Sequence, residues 1–264
     1  MLKISNLKKT FNPGTVNEKV AMNNVNLGLQ PGDFVTIIGS NGAGKSTLFN
    51  LIGGCYLPDQ GIIELDGMNI TRMPEHKRAR YIGRLFQDPL KGTAPSMTIE
   101  ENLALSYLRS TNAKIGFGIS KKEKALFRER LAELDLGLED RMKTKMGLLS
   151  GGQRQAVTLL MSTLVAPKLL LLDEHTAALD PATAEKVLKI TKEIVAREKI
   201  TTMMITHNIQ SALELGNRTI MMDNGGIVLD IMGKERNGLT VPDVLELFKK
   251  QSHKALDNDR MLLS

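Results

Sequence analysis

GSNGAGKST, Gly39–Thr47, decides the fold. It follows GDFVTIIG (Gly32–Gly39), an apolar run that reads as a buried strand ending in a glycine turn. It precedes STLFNLIGGCYL (Ser46–Leu57), whose apolar residues recur at helical spacing. A glycine-rich turn with a solvent lysine would explain the composition alone. Strand, G-x-x-x-x-G-K-[ST] and helix in that order instead predict a phosphate cradle. Gly39, Ser40, Asn41, Gly42, Ala43 and Gly44 supply the curled backbone, with Gly42 and Gly44 free of side chains where N–H groups must approach phosphate. Lys45 is placed to reach the β- and γ-phosphates, Ser46 to bind Mg²⁺ through its hydroxyl, and Thr47 to add a contact on the α-phosphate side.

Outward from this loop the chain alternates strands and helices, which implies an α/β class with a mostly parallel sheet. GIIELDGMNI reads as a strand running into an Asp66-Gly67 turn. From Thr98 the texture becomes charged and helical. TIEENLALSYLRS opens with a Thr98/Glu101 capping box, and SKKEKALFRERLAELDL carries apolar residues three and four apart, so about residues 95–148 read as a helical insertion. Then come a helix stopped by Pro167, the continuously apolar KLLLLDE, a helix opening at Pro181, the strand TTMMIT, and RTIMMDNGGIVLDIM as a hairpin about Asn224-Gly225. The tail beyond about residue 233 carries one amphipathic helix, VPDVLELFKKQ, and then a polar end.

Composition bounds the rest. The 264 residues are 42% hydrophobic, enough for a real core, and no apolar run of membrane-spanning length interrupts them. The N-terminus lacks the apolar region of a signal peptide. The single cysteine, Cys55, excludes an intrachain disulfide and is expected to be a small buried residue, in a reducing compartment. Net charge is +6, and its densest basic stretch, HKRARYIGR (His76–Arg84), is short with one aromatic. A solvated face, or one near lipid headgroups, is expected there, and no nucleic-acid partner.

Three strand ends carry further chemistry. Asp173 and Glu174 close the apolar strand at its carboxyl edge, where open α/β sheets bind ligands. Asp173 can hold Mg²⁺, and Glu174 can orient and deprotonate an attacking water. His207 follows another strand, a position where a histidine alone is more often structural than functional; no partner ligands at metal spacing accompany it. Gln87, after RLF, can reach Mg²⁺ or water through its amide. Finally, LSGGQ (Leu149–Gln153) has the S-x-x-Q spacing of a capping box, with Ser150 and Gln153 enclosing Gly151 and Gly152. Bare N–H groups at a helix start make a second anion site.

This ordered set resembles the ATP-binding cassette family, the motor subunits of ABC transporters, over about residues 1–232. The resemblance implies a P-loop NTPase fold with a mostly parallel sheet, N-terminal antiparallel β elements and an inserted α-helical subdomain, followed by a helical tail at 233–264. It also implies ATP and Mg²⁺ as cofactors. Two copies would pair head to tail, each ATP lying between one copy's Gly39–Thr47 and the other's Ser150, Gly151, Gly152 and Gln153. By the same resemblance Gln87 matches the loop that links the site to the helical subdomain, and His207 the switch histidine. Asp180 in TAALD matches the loop that contacts the opposite copy, and Phe11 the aromatic stacked on adenine, although NPGTVNEKVA lengthens the interval after it.

FNPGTVNEKVA, PEHKRARYIGRLFQDP, MTIEENLAL and LLDEHTAALDP are similar to one bacterial subgroup, the ATPases of tryptophan/tyrosine-type importers. These pair with an integral membrane permease and, through it, an extracellular substrate-binding protein. The expected function is therefore an ATP-hydrolysing importer motor, peripheral on the cytoplasmic side of the cell membrane. The alternatives are a cassette ATPase that regulates a membrane partner without transport, or a soluble one acting on DNA or ribosomes. One departure stands out: His175 occupies the position after the catalytic glutamate where the family has proline. It is either a tolerated turn residue or a group that tunes Glu174 and makes hydrolysis pH-sensitive.

Overall fold

The computed structural model describes residues 1–111 and 118–252. The polar end expected after the tail helix lies outside them. In chain order the elements are β1 (Leu2–Phe11), β2 (Lys19–Leu29), β3 (Phe34–Gly39), α1 (Lys45–Gly53), β4 (Gln60–Leu65), β5 (Met68–Asn69) and α2 (Glu75–Arg78). There follow β6 (Ile82–Leu85), α3 (Ile99–Ser110), α4 (Lys121–Ala132), α5 (Gly151–Thr163), β7 (Leu169–Asp173) and α6 (Pro181–Glu198). The chain closes with β8 (Thr201–Ile205), α7 (Ile209–Leu215), β9 (Arg218–Asp223), β10 (Gly226–Met232) and α8 (Val241–Ser252).

Two compact units divide this chain. Met1–Arg78 with the residues from Thr201 onward form one, and Ala79–Ile200 the other. In the first unit β3 lies between β8 and β9, parallel to both, and β10 folds back on β9 through Asn224 and Gly225. Both turn residues have positive φ, 47° and 76°, as a two-residue hairpin turn matched to strand twist requires. A second sheet, β2-β1-β4-β5, is antiparallel throughout. Val35, Ile37 and Ile38 of β3 are fully buried, and Val244 and Phe248 of α8 pack with Ile38, Ile209 and Met221. The tail helix is thus part of this unit's core.

In the second unit β6 and β7 pair in parallel, and Leu169–Leu172 are all fully buried. That matches the unbroken apolar run, since a strand covered on both faces needs no polar alternation. The helices α3, α4 and α5 all open with complete capping boxes: Thr98/Glu101, Ser120/Glu123 and Ser150/Gln153. Each box satisfies two backbone donors that the helix start would otherwise orphan.

Two expectations from sequence do not hold. Cys55 is exposed rather than buried, because α1 stops at Gly53 and the left-handed Gly54 turns the chain outward. The basic stretch at His76–Arg84 is not one solvated face. His76 and Lys77 are exposed, but Arg78 is fully buried and donates to the carbonyls of Leu51, Ile52, Thr71 and Met73. Leu51 and Ile52 end α1, where carbonyls lack helical partners and the dipole is negative, so a guanidinium fits.

Candidate functional site

The first unit carries the phosphate loop. β3 delivers Gly39, the loop runs through Ser40–Ala43, and Gly44 caps α1 in a left-handed conformation, φ 103°. A Cβ there would overlap Met22 Cε and lie 2.7 Å from the Ala21 carbonyl oxygen, so β2 packs directly against the loop and only glycine fits. Gly225 N donates to the Ala43 carbonyl at 3.0 Å, which ties the β9–β10 turn to the same loop. Lys45 is 5% exposed; its Nζ donates to the carbonyls of Gly39 at 2.7 Å and Ser40 at 3.1 Å. Ser46 is exposed at the first turn of α1. The result is a rigid cradle with an inward ammonium and a helix start, which suits a polyphosphate.

Strand register places the histidine. Ile37 of β3 pairs with Ile205 of β8, so Gly39 and His207 each stand two residues beyond that pair, on neighbouring strands at their carboxyl ends. Asn208 then caps α7 by accepting from Ser211 N at 2.8 Å, which holds the turn that carries His207. Phe11 ends β1, paired with Lys19, and its ring meets Tyr56 edge-on at 5.3 Å between centroids.

The second unit repeats the device. Leu85 of β6 pairs with Leu172 of β7, so Gln87 and Glu174 both lie two residues past this pair. Parallel strands bring an amide and a carboxylate to one edge although 86 residues of sequence intervene. Glu174 has φ 46°, a left-handed conformation that costs a non-glycine residue about 1–2 kcal/mol. Such strain persists where surrounding structure enforces it and is concentrated at functional sites. Arg84, which sequence reasoning missed, stands 4.0 Å from the Asp173 carboxylate and 4.5 Å from the Phe86 ring centroid. It lies on β6 one pair before the strand end, a place that motif spacing does not mark.

His175 points away from this chemistry. It is 3% exposed, and its Nε2 lies 3.2 Å from Thr191 Oγ1 on α6. That hydroxyl already gives its hydrogen to the Val187 carbonyl, so Nε2 carries the proton and donates. Burial pushes the imidazole down from 6.5 to about 4. It is therefore neutral across the physiological range, and the structure supports the turn-residue reading over a pH switch on Glu174. The consequence is for stability. The unfolded chain takes up a proton below about pH 6.5 that the fold refuses, so this contribution is complete above 6.5 and lost as pH falls toward 4. Urea denaturation is expected to show the wild type losing about 2 kcal/mol from this residue between pH 7 and pH 5, and His175→Gln losing that much less.

The LSGGQ helix start is also resolved. Ser150 Oγ accepts from Gln153 N at 3.3 Å, and Gln153 Oε1 accepts from Ser150 N at 3.2 Å. Gly151 is exposed, whereas Gly152 is buried, and a Cβ on it would overlap Thr183 Cγ2 in the first turn of α6. Asp180 caps that same helix by accepting from Thr183 N at 3.0 Å, and hydrogen bonding from the Thr183 side chain, then from its backbone, holds the carboxyl below the usual range. Gly152 thus permits two helix starts to approach each other. Gly152→Ala is expected to destabilise the fold by about 1–3 kcal/mol. Adding Thr183→Ala removes the obstructing methyl and is expected to recover much of that in denaturant melts.

Among the described residues no group of three or more His, Cys, Asp or Glu gathers to hold a metal. Among the described residues no helix is long and apolar enough to cross a membrane.

Comparison with known proteins accords with this geometry. Residues 22–177 match the ABC transporter family. The chain is 45% identical to a tyrosine transport ATP-binding protein of Clostridioides difficile, over 94% of this chain and 99% of that one. It is 35% identical to the methionine import ATP-binding protein MetN of Corynebacterium efficiens over 83% of this chain, and spans 59% of that longer protein. Among solved structures, a dimeric ATP-binding cassette in a post-hydrolysis state with ADP and Pi matches with a TM-score of 0.76 at 29% identity. It covers 90% of this chain and 100% of the solved one. A glycine-rich loop suited to phosphate, a strained carboxylate at a strand end and a family match over more than half the sequence lead to one conclusion: the chain belongs to the ABC transporter family, as an ATP-binding subunit that hydrolyses ATP.

Proposed function

We propose that this protein powers an importer for an aromatic amino acid or a related small solute. The observation that carries it is the near end-to-end likeness, at 45% identity, to a protein named for tyrosine transport. In this reading two copies pair head to tail and dock on an integral permease at the cytoplasmic face of the membrane, and an extracellular binding protein supplies the cargo. Residues 1–232 act as the cassette, with 95–148 as its helical subdomain, and 233–264 as a helical tail whose helix packs into the first unit's core.

The residues divide the work. Gly39–Thr47 wrap the phosphates, and Lys45 moves its ammonium from the loop carbonyls to the β- and γ-phosphates. Phe11 stacks on the base. Ser150, Gly151, Gly152 and Gln153 offer hydroxyl, amide and N–H donors to the nucleotide held by the other copy, and Asp180 lies at that junction. Glu174 takes a proton from the attacking water while His207 hydrogen-bonds the γ-phosphate. Mg²⁺, when bound with the nucleotide, neutralises phosphate charge. Ser46, Gln87 and Asp173 supply the oxygen donors this hard cation prefers, and their small number suits an ion that keeps several waters.

Deletion of the gene followed by labelled tyrosine uptake, together with affinity purification of the tagged protein from solubilised membranes, tests the proposal. Lost uptake and recovery of a polytopic permease with a binding protein are expected. Recovery of a membrane partner with uptake intact would favour a regulator without transport, and recovery of ribosomal or chromosomal proteins instead would overturn the transport role.

A further inference from the structure

The insertion NPGTVNEK between Phe11 and the phosphate loop is not slack. Thr15 N donates to the Asn12 carbonyl, Glu18 N to the Thr15 carbonyl, and Gly14 N to Glu18 Oε2 at 2.6 Å, so residues 12–18 close on themselves. The insertion therefore leaves the β1–β2 ladder intact at its end, where Phe11 pairs directly with Lys19. Two residues further along β2, Ala21 and Met22 lie against Gly44 of the phosphate loop. Lys19 consequently starts beside the ring expected to carry the base, on a strand that runs to the phosphate cradle. Its ammonium completes the span: Lys19 Nζ sits 3.4 Å from where a Cβ of Gly42 would be. Lys45, by contrast, is anchored to the loop's Gly39 and Ser40 carbonyls. The loop is thus flanked by two lysines that arrive from different elements.

We infer that Lys19 is a second phosphate-directed cation, which meets the nucleotide on its α-phosphate side, between the Phe11 ring and the cradle. This rests on the nucleotide-binding reading of the loop. The chemistry is a charge-assisted hydrogen bond from a flexible ammonium to a phosphoryl oxygen, partly solvated because Lys19 is exposed. It predicts selectivity for charged nucleotides over the bare nucleoside, and part of the salt dependence of binding.

The test is competition of ATP, ADP, AMP and adenosine against a fluorescent nucleotide, at low and high salt, on wild type, Lys19→Gln and Lys19→Arg. Lys19→Gln is expected to weaken ATP, ADP and AMP by about 5- to 10-fold, with a shallower salt dependence and unchanged adenosine binding. Lys19→Arg is expected to stay near wild type. Equal affinities for wild type and Lys19→Gln would overturn the inference, as would a loss that falls equally on adenosine. A wild-type chain that binds none of the three nucleotides would overturn the nucleotide reading beneath it.

Discussion

Glu174→Gln is expected to slow ATP turnover by about 10²- to 10⁴-fold while leaving ATP binding in place. The amide matches the carboxylate in size and can occupy the same left-handed backbone at φ 46°, so the strand end keeps its shape. What it cannot do is accept a proton from water. The phosphate loop, Lys45 and the capped α5 start are untouched, so nucleotide should be held rather than lost. Phosphate release measures the first effect and equilibrium nucleotide binding the second. If two copies close around ATP, size-exclusion chromatography should also show a nucleotide-dependent dimer that outlives that of the wild type. A variant that hydrolyses ATP within about threefold of wild type would remove Glu174 from the role of general base.

Arg78→Met carries the largest expected loss of stability, about 3–5 kcal/mol. The side chain is fully buried, and four carbonyls depend on it at 2.7 to 2.9 Å. Methionine fills much of the volume but donates nothing, which leaves buried acceptors unpaired. Desolvation holds the guanidinium below its ordinary value without discharging it, so a positive charge sits at the negative end of α1. A melting temperature lower by roughly 10 °C is the expected readout. Because α1 springs from the phosphate loop, nucleotide should partly restore the melting temperature of the variant. An unchanged melt would mean that water replaces the donors at little cost.

Local chemistry was legible where neighbours in sequence are neighbours in space. The phosphate loop between β3 and α1 and the Ser150/Gln153 box needed only a few residues of context. So did the Asn224-Gly225 turn and the four buried leucines of β7. Capping, backbone conformation and periodicity act within a turn or a strand, so their signals survive in the one-dimensional string. Arg78 shows the limit: its neighbours His76 and Lys77 are exposed, and no pattern in HKRARYIGR tells which basic residue turns inward. Cys55 went wrong for a related reason, since whether a helix end faces core or water depends on what lies opposite.

The sequence by itself determined the α/β class, the nucleotide chemistry and the family, because these rest on short motifs in strand–loop–helix order. Only the tertiary structure decided that Gln87 and Glu174 follow paired strand ends, that Gly39 and His207 do the same, and that Lys19 reaches Gly42. Strand register and the packing of β2 on the loop set these pairings. Both arise from side chains that meet across long sequence separations, and only a folded core brings them within reach.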